Sequence, residues 1–90
     1  MPQAIVDPEE LRQFARNLKK FNTDLQERVT MLGSQLVALS RTWRDQENKK
    51  FSDEFEQHMR TFSRFVELTE GHIPYLLRKA ELIEEYLQQH

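Results

Sequence analysis

Apolar residues recur along this chain at alternating steps of four and three, in two long runs separated by a short polar stretch. The first run is Leu11, Ala15, Leu18, Asn22, Leu25, Val29, Leu32, Leu36, Leu39 and Trp43. The second is Phe55, Met59, Phe62, Val66, Thr69, Ile73, Leu76, Ala80, Ile83 and Leu87. Such spacing puts each run on one face of a helix, as a heptad seam. Two seams joined by the polar link from Thr42 to Asn48 predict an all-α fold, an antiparallel two-helix hairpin. Only that arrangement lets each stripe meet the other at once. The whole chain, 1–90, is expected to form one hairpin domain, with helix 1 over about 8–41, a turn over 42–46 and helix 2 over about 46–88.

Local signals sharpen these limits. Residues 1–6 read as a short extended arm. Asp7 can accept from the free amides of a first turn, Pro8 suits the first helical position, and Glu10 supplies the spacing of a capping box. At 1.5 Å per residue helix 1 spans about 50 Å and helix 2 roughly 60 Å. Gly33 falls on an outer position of the heptad and costs helix 1 about 1 kcal/mol of propensity. In helix 2 the stretch Gly71-His72-Ile73-Pro74 predicts a kink near 71–74, because Pro74 has no amide to donate to the carbonyl of Glu70. The heptad continues in phase beyond it. With the turn centred near Arg44, Leu11 should lie abreast of residues 76–80, leaving Ile83 to His90 beyond helix 1.

A second row runs beside the seam. Phe51, His58, Phe65, His72, Lys79 and Tyr86 repeat at seven-residue spacing, and Phe14 and Phe21 hold the matching place in helix 1. One facing helix cannot cover so wide an apolar face, and two helices enclose little core. Leaving Phe14, Phe21, Phe51 and Phe65 exposed forgoes about 1.5 to 3 kcal/mol for each. That gain is comparable to an association cost of about 4 to 15 kcal/mol. The expectation is therefore a dimer of hairpins forming a four-helix bundle, with Phe14, Leu18, Phe21, Leu25, Phe51, Phe55, Phe62 and Phe65 at the interface. Asn22 and Thr69, the polar members of the seams, fall nearly opposite each other. Either they share a hydrogen bond that fixes register or each faces a partly wet edge.

Composition narrows the function classes. Thirteen basic and fifteen acidic residues are interspersed without a block of one sign, so no nucleic-acid footprint or anionic-lipid patch is visible. Hydrophobic residues at 38% and charged residues at 31% suit an amphipathic helix, and no run approaches membrane-spanning length. The chain has no cysteine, which excludes disulfides and thiolate metal sites. Its first residues lack the pattern of a cleavable secretory signal.

His58 and His72 are about 21 Å apart along one helix and cannot share a metal within a chain. Glu54 and His58 have the spacing of a surface ion pair. Glu54, Glu56, Glu81, Glu84 and Glu85 sit on outward positions near Lys or Arg, with no cleft to raise their pKa. Serines 34, 40, 52 and 63 have no nucleophile-elbow setting. No enzyme, cofactor or metal site is expected.

At the turn the chain resembles the WXG100 family, the small helical hairpins related to ESAT-6 that are substrates of type VII secretion systems. Trp43 matches the family tryptophan, Arg44 its variable position, and Phe51 follows where members usually place an aromatic. Asp45 stands where the motif has glycine, a residue able to take positive φ, which Asp also tolerates. The resemblance implies a secreted protein that leaves by a type VII-like route without a cleavable signal. It also implies a composite recognition patch of Trp43 with Tyr86, the latter from a partner's C-terminal helix. The family's export signal is a tyrosine followed four residues later by Asp or Glu. Here Tyr86 is followed by Leu87, Gln88, Gln89 and His90, and Tyr75 has Lys79 at the fourth place. Export would then need a partner, itself or a related WXG100-like chain, carrying the signal to the secretion machinery. The alternatives are a cytoplasmic coiled-coil adaptor or scaffold, and an antitoxin- or chaperone-like helical partner.

Overall fold

A computed structural model describes residues 6–89 of the chain. The extended arm expected over the first residues lies almost wholly outside the described part. The described residues are all-α: α1 spans Pro8–Ser40, α2 spans Gln46–Glu70 and α3 spans His72–Gln88. The topology is that of an antiparallel helical hairpin whose second arm bends between α2 and α3.

The start of α1 follows from its capping residue. The Asp7 carboxylate accepts from the Glu9 amide at 2.9 Å, and the Asp7 carbonyl accepts from the amides of Glu10 and Leu11. Amides that a helix start would leave unsatisfied are thereby engaged, with Glu9 and Glu10 in the first turn facing the positive end of the helix dipole. The bend at Gly71 has a similarly local origin. Gly71 precedes α3 with φ −67° and ψ −21°, so the backbone keeps right-handed helical angles through the interruption. Pro74 then falls in the first turn of α3, where a missing amide costs no helical hydrogen bond. Breaking the helix one turn before the proline removes the conflict with the carbonyl of Glu70.

The chain divides into two compact units, one of Met1–Asn22 with Leu68–His90, the other of Thr23–Glu67. In the first unit Ala15 and Ala80 are fully buried, and Leu11, Leu18, Ile73, Leu76 and Ile83 are half-buried around them. Asn22 is only 2% exposed, and its side-chain amide donates to Thr69 Oγ1 at 3.0 Å and to Glu70 Oε2 at 3.1 Å. The Thr69 hydroxyl lies 3.3 Å from Asn22 Oδ1. The shared hydrogen bond is thus the arrangement adopted, and the wet edge is excluded for Asn22. Carried outward, this register puts Leu11 abreast of Ala80. Ile83 is half-buried and Glu84 bonds to Arg12. The expectation that everything from Ile83 onward projects past helix 1 is therefore corrected: the turn is centred later than Arg44, and long side chains reach a further helical turn.

In the second unit the seam drifts. Leu25, Val29, Gly33, Leu36 and Ser40 are the half-buried positions of α1 here and Trp43 is half-buried in the link that follows, whereas Leu32 and Leu39 are exposed. Gly33 therefore faces inward, contrary to the outer place a fixed heptad assigns it. An α-helix has 3.6 residues per turn and drifts about 20° per heptad, which carries the contact stripe from Leu32 and Leu39 to their next neighbours. Gly33 leaves an open groove of about 230 Å³ lined by Val29, Leu36, Phe55 and Met59 and rimmed by Glu56, Arg60 and Ser63. A methyl group built at Gly33 meets nothing within 4 Å.

Replacing Gly33 by alanine therefore adds helix propensity without a clash. We expect Gly33→Ala to raise the unfolding free energy by about 1 kcal/mol, measured by urea denaturation. A loss of stability would show that the groove must stay open.

Candidate association surface and turn

The turn is built from polar side chains. The carbonyl of Leu39 accepts from the Trp43 amide at 2.9 Å, the Thr42 amide at 3.1 Å and the Thr42 hydroxyl at 3.2 Å. The carbonyl of Arg41 accepts from Arg44 Nε at 2.6 Å. These bonds close the C-terminal end of α1 without a left-handed residue, and none of the described residues has positive φ. Asp45 therefore does not reproduce a glycine conformation. It caps α2 instead, its carboxylate accepting from the Asn48 amide at 3.1 Å. That role suits Asp far better than glycine, because only a side-chain oxygen can satisfy the free amide.

Asn48 is the residue that pattern reading missed. It is buried at the start of α2, and its Oδ1 accepts from the hydroxyls of Ser52 at 2.9 Å and Ser40 at 3.3 Å. Its side-chain amide donates to the carbonyl of Trp43. Trp43 is half-buried and lies against Phe51, ring centroids 5.7 Å apart and inclined by 39°, and Phe51 in turn stacks on Phe55 at 5.6 Å. Trp43 and Phe51 line a shallow recess edged by Glu47, Lys50 and Glu54. The turn motif Trp43, Arg44 and Asp45 is thus contiguous with the Phe51 row. Tyr86 belongs to the other unit, where it is exposed on α3.

Of the eight residues expected at an interface, Phe14 is 58% exposed, Phe21 53% and Phe65 43%, with Phe51 and Phe62 also exposed. Leu18, Leu25 and Phe55 are half-buried in the seams of their own units. Periodicity missed Met31, Val37, Leu32 and Leu39 as further exposed apolar side chains. A signal for them was present, because no charged residue occurs from Val29 to Ser40.

Arg12 on α1 and Glu84 on α3 tie the two helical arms of the first unit together. Arg12 Nη2 donates to Glu84 Oε1 at 2.7 Å and Nη1 to Oε2 at 3.0 Å, a two-point contact. These hydrogen bonds, helped by the guanidinium charge and opposed by desolvation, hold the Glu84 carboxyl below the ordinary glutamate range. The same hydrogen bonds, opposed by desolvation, raise Arg12 above its ordinary value. Among the described residues no helix is long and apolar enough to cross a membrane, and no three His, Cys, Asp or Glu side chains gather to hold a metal ion.

An antiparallel helical pair with a tryptophan turn and exposed aromatic rows defines the class, a small all-helical protein. The chain belongs to the WXG100 family, proteins of 100 residues with WXG, whose model matches residues 3–86. No curated protein and no solved structure matches it significantly.

Because the Glu84 carboxyl is depressed in the folded chain, its contribution is complete above the ordinary glutamate range and is lost as pH falls through the lowered value. We expect Glu84→Gln to lower stability at neutral pH and to flatten the acid limb of the stability curve, measured by urea denaturation across that range. Parallel acid limbs in the two proteins would show that the pair contributes nothing.

Proposed function

We propose that this chain acts by folded association, two hairpins or a hairpin and a related chain packing into a four-helix bundle that serves a type VII secretion system as substrate or export partner. The observation that carries the proposal is the exposure of apolar rows on both arms. Phe14 and Phe21 lie one heptad apart on α1, and Phe51 and Phe65 lie two heptads apart on α2. Leu32 and Leu39 extend the exposed face of the second unit through a segment without charge. Within each unit such flanks border the seam, which is where a second pair of helices packs.

The energetics agree. Completing the burial of half-exposed rings and leucines recovers about 1 kcal/mol apiece. The exposed apolar residues together reach the lower to middle range of association costs, about 4 to 15 kcal/mol. Membership of the WXG100 family supports pairing as well, since its proteins typically form dimers. The bundle would present Trp43 of one chain with Tyr86 of the other as a composite patch. The lack of an acidic residue four places after Tyr86 supports a related chain as the bearer of the export signal. The same departure favours a second reading, a cytoplasmic adaptor that pairs in the same way without leaving the cell.

Light scattering on the intact chain at micromolar concentration tests the association. We expect the mass of a dimer, and the mass of a monomer with unchanged helix content for the double substitution of Phe14 and Phe21 by glutamine. A monomeric parent chain would overturn the homodimer; co-purification of a related chain from the source cell would then assign the heteromeric form. Recovery from culture medium without lysis separates export from the adaptor.

A further inference from the structure

We infer that Asn48 is a positioning residue for the association surface: its side-chain amide, held by Ser40 and Ser52, fixes the peptide of Trp43 and so aims the indole against Phe51. The inference rests on the reading that Trp43 belongs to that surface.

Asn48 occupies the position three residues after the Asp45 cap, where a capping box would carry Glu reaching back to the cap. Its amide donates instead to the carbonyl of Trp43, two residues before the cap. Its Oδ1 is occupied by both serine hydroxyls, at 2.9 and 3.3 Å, and its backbone amide by Asp45. A side chain buried to this degree and bonded at both polar ends has one rotamer open to it. Fixing that carbonyl orients the peptide plane after Trp43, and the Trp43 amide is held on the other side by the carbonyl of Leu39 at 2.9 Å; the two together set the direction in which the Cα–Cβ bond leaves the chain. Trp43 lies in the five-residue link between Ser40 and Gln46, where the last helix-like bond ends on its amide and its carbonyl is left for Asn48 to hold. Its ring meets Phe51 at 5.7 Å, so the aromatic face is assembled before any partner arrives. Ordering it in advance removes a cost that binding would otherwise bear.

A merely structural role, tying α1 to α2 through the serines, makes a different prediction. Substituting both Ser40 and Ser52 by alanine removes that tie and leaves the amide free to bond Trp43. Asn48→Asp does the reverse. Its carboxylate still accepts from the serines, but it turns an acceptor toward the carbonyl of Trp43, and an acidic residue in the first turn of α2 favours the helix.

The test measures the anisotropy decay of Trp43, the only tryptophan, in the intact chain, alongside helix content and self-association. We expect Asn48→Asp to widen the ring's motion and weaken association about three- to ten-fold, the loss of one hydrogen bond, with helix content kept. The double serine variant should keep the narrow motion of the parent chain. Unchanged ring motion in Asn48→Asp, or equal widening in both variants, would overturn the inference. A parent chain that proves monomeric would remove the association reading, while the ring-motion comparison still decides the positioning role. Should Asn48→Asp fail to fold, amide exchange in the parent chain decides: one Asn48 side-chain proton should exchange much more slowly than those of the exposed Asn17, and equal rates would overturn the inference.

Discussion

Two helices can each cover only one stripe of the other, and in this chain the apolar surface is wider than a stripe. Ala15, Val66 and Ala80 are the fully buried apolar residues among those described, a small core for a domain of this length. Most large apolar side chains are half-buried in the seam or exposed beside it. Helical stability in water comes mainly from burying such faces. The exposed rows leave apolar surface that a second chain can cover, and the proposed activity is that covering. Nothing in that account needs a cleft or a reactive group.

Specificity within such a pair has to come from groups that tolerate only one alignment. Leucine and phenylalanine pack acceptably after a slip of one heptad; buried asparagine does not. Asn22 in the first unit and Asn48 in the second each bond both polar ends of the side chain. Sliding the helices would leave Asn22 buried without partners, at about 1 to 3 kcal/mol, and would part Asn48 from Ser40. Burial of the two asparagines thus trades some stability for a single register. Arg12 and Glu84 add a weaker, half-exposed clamp to the first unit.

Counting residues outward from the turn found the all-α fold and the opposition of Asn22 and Thr69, which depend on spacing, while the residue types Asp7, Pro8 and Glu10 marked the start of α1. Gly33 and Leu32 escaped because a fixed heptad treats the helical period as 3.5 and hides a drift that accumulates over several turns. The contact of Arg12 with Glu84 depends on register to better than one turn, beyond the precision of counting. Asn48 was hidden for another reason: next to a polar link a buried polar residue looks like more link, and only the bonds it makes distinguish it. The replacement of glycine by Asp45 was visible, but its meaning was not, because a capping role follows only once the turn is known to use no positive φ.

The folded hairpin is proposed to be stabilised by a second one. Urea denaturation of the intact chain over about a hundred-fold range of protein concentration tests it most directly, because association specific to the folded state makes the midpoint depend on concentration. The midpoint is expected to rise steadily as the protein is concentrated. Superimposable curves would contradict it, and would mean that the exposed aromatic rows contribute nothing to holding this fold together.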